Sequence, residues 1–138
     1  MRKKTFIIGC GRLGSSIALD AYARGDNVTV IDIDENSFDR LSDSFAGYTE
    51  VADATDAKSL EVLGIHDATE LIITTGNDND NLFIAHLANK IYNIPNIYVR
   101  LNNPEERALI EETGIKAIYP FQLSFEAFSK LKKEGEKK

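Results

Sequence analysis

The most informative part of the sequence is the glycine-rich segment Gly9-Cys10-Gly11-Arg12-Leu13-Gly14. It directly follows the apolar run Phe6-Ile7-Ile8, and a helical pattern covers Ser15 to Arg24 after it. A Gly-x-Gly-x-x-Gly turn between a buried strand and a helix is typical of a dinucleotide-binding site. The hexapeptide by itself is equally compatible with a structural turn in another α/β protein.

The three glycines of this stretch have different expected tasks. Gly9 permits the tight turn, Gly11 lets a phosphate approach the backbone, and Gly14 lets the helix pack closely on the strand. The unpaired amides and the positive dipole end of the helix would then attract a diphosphate.

Composition narrows the functional classes. The chain has 138 residues, a net charge of −6 and one cysteine, which fits one globular domain with a single core. The negative charge argues against nucleic-acid binding. No apolar run is long enough to span a bilayer, so we expect no direct membrane insertion. With only one cysteine there can be no internal disulfide, and a cytoplasmic location is expected.

Strand-like and helical patterns alternate regularly along the chain. The expected strands cover residues 4–8, 28–33, 48–52, 70–75, 97–101 and 115–119, and the expected helices cover 15–24, 35–44, 56–63, 80–92, 103–113 and 121–132. This alternation predicts an α/β, Rossmann-like, doubly wound parallel sheet of six strands with helices on both faces. The expected strand order is 3-2-1-4-5-6, with ligands bound at the carboxyl ends of the strands.

An acidic residue ends the second strand. Asp32 lies 18 residues after Gly14, close to the spacing at which an acid accepts hydrogen bonds from a ribose. Its carboxylate would repel a 2′-phosphate, so NAD or an adenine nucleotide is favoured over NADP. Asp34 is a nearby competitor whose alternative role is to cap the next helix.

The other strand ends carry further candidates. Arg12 could pair with phosphates or be a solvated surface arginine. Asp53 and Ala54 are candidates for an adenine pocket by position, but their segment could equally serve to cap the next helix through Thr55 or Asp56. The loop Thr74–Asp80 could present amides to a ligand or form only a polar turn with a helix cap. Arg100 could reach the same crevice or pair with a surface acid.

Five sequence blocks together resemble one family. They are Gly9–Gly14, Val30–Glu35, Ala52–Asp56, Leu71–Asp78 and Ile94–Arg100. In this order the blocks are similar to the RCK or KTN domain, the TrkA-type regulatory subunit of potassium uptake systems. Members of that family often continue into a second subdomain. This sequence ends at Lys138, which fits either a shorter natural form or a piece of a longer chain.

The resemblance implies a cytoplasmic nucleotide-binding module that forms a homodimer or a higher ring. It would bind NAD(H), ATP, ADP or AMP and gate a membrane potassium channel or transporter at the inner face of the membrane. It implies binding rather than catalytic roles for fourteen residues: Gly9, Cys10, Gly11, Arg12, Leu13, Gly14, Asp32, Ile33, Asp53, Ala54, Thr75, Gly76, Asn77 and Arg100. It also divides the chain into a nucleotide-binding domain over 1–120 and a crossover or dimer-contact helix with a charged tail over 121–138.

Two functions other than a nucleotide-binding regulatory domain are also considered. An NAD-dependent oxidoreductase, or its cofactor-binding fragment, would use the same fold, but it needs a substrate pocket and usually an acid or base. His66 and His86 lie away from the strand ends, and no cluster has metal-ligand spacing. An interaction module without nucleotide binding is disfavoured by the intact glycines and Asp32.

The last helix carries an aromatic stripe. Phe121, Phe125 and Phe128 recur at helical spacing, and Leu131 continues the stripe. The stripe would pack either on the chain's own sheet or on a second subunit.

Overall fold

The computed structural model describes residues 2–137, and its centre is a single all-parallel sheet. The six strands are β1 (Lys4–Ile8), β2 (Asn27–Asp32), β3 (Tyr48–Val51), β4 (Glu70–Ile73), β5 (Asn96–Arg100) and β6 (Lys116–Ile118). Their order is β3-β2-β1-β4-β5-β6. The predicted fold class and strand order are confirmed.

Helical segments cover both faces of the sheet. The α-helices are α1 (Arg12–Ala23), α2 (Ala57–Val62), α3 (Asp78–Lys90) and α4 (Pro120–Glu136), and the 3-10 helices cover Glu35–Arg40, Ile65–Asp67 and Pro104–Leu109. The face with α1 and the 3-10 helix Glu35–Arg40 buries one cluster of apolar side chains. The face with α2 and α3 buries a second, larger cluster.

Alternate residues of the central strands supply these two clusters. In β1, Ile7 packs toward α1, whereas Phe6 and Ile8 pack toward α3. Ile7 and Ile8 are almost completely buried. Burial on both faces explains why the strand is continuously apolar rather than alternating.

Several predicted bounds differ from the structure. The expected helices over 35–44 and 103–113 are short 3-10 helices, Glu35–Arg40 and Pro104–Leu109. Phe38, Leu41 and Phe45 do pack on the core, but a 3-10 turn followed by a loop presents them. Apolar spacing alone cannot separate that arrangement from an α-helix.

The first and fourth predicted helices begin earlier than expected. Helix α1 begins at Arg12 rather than Ser15, with Gly11 as its N-cap. Helix α3 begins at Asp78 rather than Asp80, with Asn77 as its N-cap. With these earlier starts, the N-termini of α1 and α3 lie directly after the carboxyl ends of β1 and β4.

Helix α4 does not pack on the chain's own sheet. Phe121, Phe125, Phe128 and Leu131 are 58–67% exposed, and no described residue of the helix is buried. The interpretation that the stripe belongs to the chain's own core is therefore wrong. Within residues 2–137, no helix is both long and apolar enough to cross a membrane.

Candidate functional site

A cavity of about 410 Å³ opens at the carboxyl ends of the strands, across the switch point between β1 and β4. The predicted residues that line it are Gly9, Gly11, Asp32, Ile33, Asp53, Ala54, Thr75, Gly76 and Arg100. The structure therefore brings residues from five strand ends to one cleft, the place where open α/β sheets bind ligands.

The glycine loop has the geometry that close backbone packing requires. Gly9 has a φ of +98°, and its N–H donates to the Ile31 carbonyl at 2.8 Å. A Cβ on Gly14 would lie 1.9 Å from the Gly9 oxygen, so only glycine fits there. A Cβ on Gly11 would meet no atom within 4 Å. Gly11 therefore leaves open space beside the start of α1, where a ligand can approach the backbone.

The remaining predicted residues lie next to the cavity rather than on its walls. Cys10 is buried behind the loop, and Leu13 and Gly14 lie in the first turn of α1. Arg12 is the first residue of α1 and is exposed. The Asn77 side chain accepts the Asp80 N–H at 3.0 Å and so caps α3.

Asp32 connects the glycine loop to the segment after β2. Its Oδ2 accepts the Cys10 N–H at 2.7 Å, and its Oδ1 accepts the Asp34 N–H at 2.8 Å. A carboxylate has about four acceptor positions, so it can still accept hydroxyl groups. Asp34 itself caps the 3-10 helix by accepting the Asn36 N–H.

Asp53 forms a local turn at the end of β3. Its Oδ1 accepts the Thr55 hydroxyl at 2.6 Å and the Thr55 N–H at 2.9 Å. These hydrogen bonds, the hydroxyl bond first, hold the pKa of Asp53 below its usual value. Asp53 is therefore an anionic acceptor at neutral pH, beside the buried Ala54.

Thr75 and Arg100 form the opposite wall. The Arg100 Nη2 donates to the Thr75 carbonyl at 2.7 Å. The Arg100 Nε is buried and has no acceptor among residues 2–137. This side of the cleft therefore holds a cation whose hydrogen-bonding capacity is only partly used.

Sequence reasoning did not assign several polar residues to the site. Among them, Ser37 and Arg40 line the cavity, and Asn81 lies buried behind it. Ser37 and Arg40 belong to a 3-10 helix that directly follows β2, and this position was the available signal. For Asn81 the signal was a polar side chain within an apolar helical stripe.

Cys10 does not have the properties of a reactive thiol. Burial, followed by the nearby Asp32 carboxylate, raises the pKa of Cys10. The thiolate is the reactive species, so the thiol form predominates at neutral pH. The backbone N–H of Cys10, bonded to Asp32, is its structurally important group.

The described surface has further grooves outside this cleft. One of about 550 Å³ lies on the α1 face and is lined in part by Thr5, Ile17, Ile72 and Tyr98. It contains none of the predicted site residues. Among residues 2–137, no group of three His, Cys, Asp or Glu side chains is placed to hold a metal ion.

The sheet order, the glycine loop and the acid at the end of β2 define a Rossmann-like domain with a strand-end cleft. Residues 5–120 match the family model of the TrkA-N domain. This match covers well over half of the chain, so the protein belongs to the TrkA-N domain family.

Two curated relatives are potassium uptake proteins. The chain is 32% identical over 112 residues to the Trk system potassium uptake protein TrkA of Streptomyces coelicolor, covering 81% of this chain and 50% of that protein. It is 30% identical over 116 residues to the Ktr system potassium uptake protein A of Bacillus subtilis, covering 84% and 52%. The chain thus spans about half the length of these relatives.

Solved structures share the fold. GsuK bound to ADP superposes with a TM-score of 0.79 at 24% identity, covering 94% of this chain and 33% of that chain. The Kef C-terminal domain of Shewanella denitrificans in its AMP-bound form gives a TM-score of 0.69 at 22% identity, covering 94% and 81%.

Proposed function

We propose that this chain is the nucleotide-binding regulatory domain of a potassium uptake system. It binds NAD(H) or an adenine nucleotide and gates a membrane potassium channel or transporter through a ligand-dependent rearrangement between subunits. The observation that carries the proposal is the pairing of open space at Gly11 with the Asp32 carboxylate in one cleft of a TrkA-N domain.

The ligand assignment follows the order of strand ends. Asp32 and Asp53 would take the ribose and adenine of the adenosine half, and Gly11 would receive the phosphates. Arg12, the first residue of α1, lies outside the cavity wall and would contact the phosphates from the solvent side. ADP in GsuK and AMP in the Kef domain support an adenine nucleotide in this fold, and Asp32 disfavours NADP.

Binding is favoured over catalysis. Hydride transfer usually needs a group that moves a proton beside the nicotinamide. His66 lies in the 3-10 helix Ile65–Asp67 and His86 lies in α3, and neither lines the cavity. A regulatory subunit needs only differential affinity for two arrangements. It would act in the cytoplasm, held at the membrane by its transporter partner, consistent with the potassium uptake relatives.

A nucleotide panel tests this function. The purified chain would be titrated with NAD, NADH, NADP, AMP, ADP and ATP by thermal shift. We expect at least one of NADH, ADP and ATP to raise the melting temperature by several degrees, because a ligand at 100 times its Kd adds about 2.7 kcal/mol. NADP should give the smallest shift among the dinucleotides. A panel without any shift would reject the proposal, and steady oxidation of NADH with a small substrate would favour an oxidoreductase.

The regulatory step requires a second subunit, and we propose that α4 contacts a second copy of the chain. Phe121, Phe125, Phe128 and Leu131 form one exposed stripe on a helix of 17 residues. Contiguous apolar surface of this kind marks an interaction site. A symmetric contact between two copies is the commonest arrangement in soluble oligomers.

Disrupting this stripe should change the oligomeric state. The double variant Phe125→Asp/Phe128→Asp is expected to be a monomer at concentrations at which the unmodified chain is a dimer or larger, as measured by sedimentation velocity. Lys130→Glu, on the opposite side of α4, is the control and should leave the assembly intact. Phe125 and Phe128 are both exposed in the single chain, so replacing them should not disturb the core. Any decrease in the melting temperature of the double variant should come from the loss of the contact between subunits. A monomeric unmodified chain would contradict the proposal.

A further inference from the structure

We infer that Asn81 is a positioning residue: it fixes Thr75 and Arg100 so that the Arg100 guanidinium receives the part of the nucleotide beyond its first phosphate. This inference rests on the proposed function and assigns a role to a residue behind the cavity wall. It also identifies the chemistry that Arg100 would recognise, which is an acceptor oxygen in the second half of the ligand.

Asn81 is 0% exposed, and both the nitrogen and the oxygen of its amide group form hydrogen bonds. The Nδ2 donates to the Thr75 carbonyl at 3.0 Å and to the Arg100 carbonyl at 2.8 Å. The Oδ1 accepts a hydrogen bond from the Thr75 hydroxyl. A buried polar group that loses its partners is costly. The Asn81 amide therefore ties together the backbone at Thr75 and at Arg100, which are 6 and 19 residues away in the sequence.

The partners of Asn81 belong to neighbouring strand ends. Thr75 follows β4, Arg100 ends β5, and the two strands are hydrogen-bonded neighbours. The Arg100 Nη2 donates to the same Thr75 carbonyl that Asn81 contacts. The three residues therefore form a closed hydrogen-bonded unit. We expect a change at Asn81 to move the Thr75 carbonyl, and with it the Arg100 side chain that donates to this carbonyl.

Arg100 has unused donors where this unit meets the cavity. Its Nε is buried and has no acceptor among residues 2–137, and the residue lines the cleft. Guanidinium groups carry five N–H donors and match phosphate or carbonyl oxygens. Because the buried Nε–H is out of reach of the cleft, a ligand oxygen would accept from the other guanidinium nitrogens, of which only Nη2 has an acceptor among residues 2–137.

The strand order defines which part of the ligand reaches Arg100. Asp32 ends β2, and Arg100 ends β5, three strands further along the sheet. With neighbouring strands about 4.8 Å apart, this is a separation of about 14 Å. The adenosine half and its first phosphate occupy the β3, β2 and β1 ends, so AMP would stop short of β5. A dinucleotide would continue to it.

This difference provides an internal control. The full chain would be titrated by calorimetry with AMP and with NADH, as the unmodified protein and as Asn81→Asp. The aspartate keeps the size of the side chain but loses the two N–H donors that bind the carbonyls. We expect its Kd for NADH to rise at least tenfold while its Kd for AMP stays within twofold. A purely structural role for Asn81 would weaken both ligands alike and would overturn the inference.

Two further variants complete the test. Asn89→Asp makes the same substitution elsewhere in α3 and is the control. The Asn89 Nδ2 donates to the Thr113 carbonyl at a distance of 3.0 Å, and this contact lies away from the cleft. The affinities of this variant for AMP and for NADH should both be unchanged. Arg100→Gln should weaken NADH at least tenfold and spare AMP, and it carries the test if Asn81→Asp does not fold. Unchanged NADH binding by Arg100→Gln would overturn the inference.

The unmodified chain separates this inference from the function on which it rests. Binding of AMP without NADH would reject the role of the β4 and β5 ends and leave an adenine-nucleotide sensor in place. Binding of neither ligand would reject both proposals.

Discussion

Replacing Gly14 with alanine is expected to destabilise the domain by about 3 kcal/mol, the upper part of the usual range for overpacking. The new Cβ would lie 1.9 Å from the Gly9 carbonyl oxygen and 2.7 Å from the Thr74 hydroxyl. The Gly9 oxygen is backbone and already accepts the Thr74 hydroxyl, so the start of α1 must move away from β1 and β4. Urea unfolding monitored by circular dichroism would measure the change.

Gly11→Ala is the matched comparison within the same loop. Gly11 has a φ of −85°, which alanine adopts readily, and its Cβ would meet no protein atom within 4 Å. Its free energy of unfolding should change by less than about 1 kcal/mol. Nucleotide affinity should nevertheless fall at least tenfold, because the methyl group would occupy the space proposed for the phosphates. Full affinity in Gly11→Ala would place the ligand elsewhere.

Asp32→Asn is expected to have the largest effect on nucleotide affinity. The carboxylate accepts two backbone N–H groups now, and it would accept the ribose hydroxyls in the complex. Hydrogen bonds to a charged group are worth about 1.5–3 kcal/mol each. We therefore expect calorimetry to show at least a 30-fold loss of affinity for ADP or NADH.

The Asp32 variant also tests ligand selectivity. Loss of the negative charge removes the repulsion of a 2′-phosphate, so the preference for NADH over NADPH should narrow. Asp34→Asn is the control, since Asp34 only caps the 3-10 helix Glu35–Arg40, and both its affinity and its selectivity should match the unmodified chain. Equal effects of the two substitutions would contradict the role given to Asp32.

The parts that the sequence predicts well have strong local causes. The continuous apolar strand before Gly9 and the alternation of strands and helices were enough for the sheet order. The structural roles of Gly9 and Gly14 could be predicted because their positions exclude other residues. Gly9 has a positive φ, and Gly14 lies too close to the Gly9 carbonyl oxygen for a side chain to fit. The position of Asp32 in the cleft could be predicted because its distance from the glycines follows from the length of one helix and one strand, and its role toward a ligand stays a prediction.

The missed parts depend on contacts between distant segments. Nothing local to Asn81 shows that its amide binds carbonyls at Thr75 and Arg100. Arg40 was missed because its segment is a 3-10 helix that turns back toward the cavity. The exposed stripe of α4 has the same spacing as a core-facing stripe, so its partner was not determined by its pattern.

Amide chemical shifts of the ¹⁵N-labelled chain during titration with AMP and with NADH would locate each half of the nucleotide on the structure. With both ligands we predict the largest shifts at residues 9–14, 32–33 and 53–54. Gly25 and Gly64 should be unaffected, because both lie toward the amino ends of the strands. In the NADH titration only, the chemical-shift changes should extend to residues 75–77 and 100. Shifts confined to the groove near Thr5, Ile72 and Tyr98, or no shifts at all, would contradict a nucleotide site at the glycine loop.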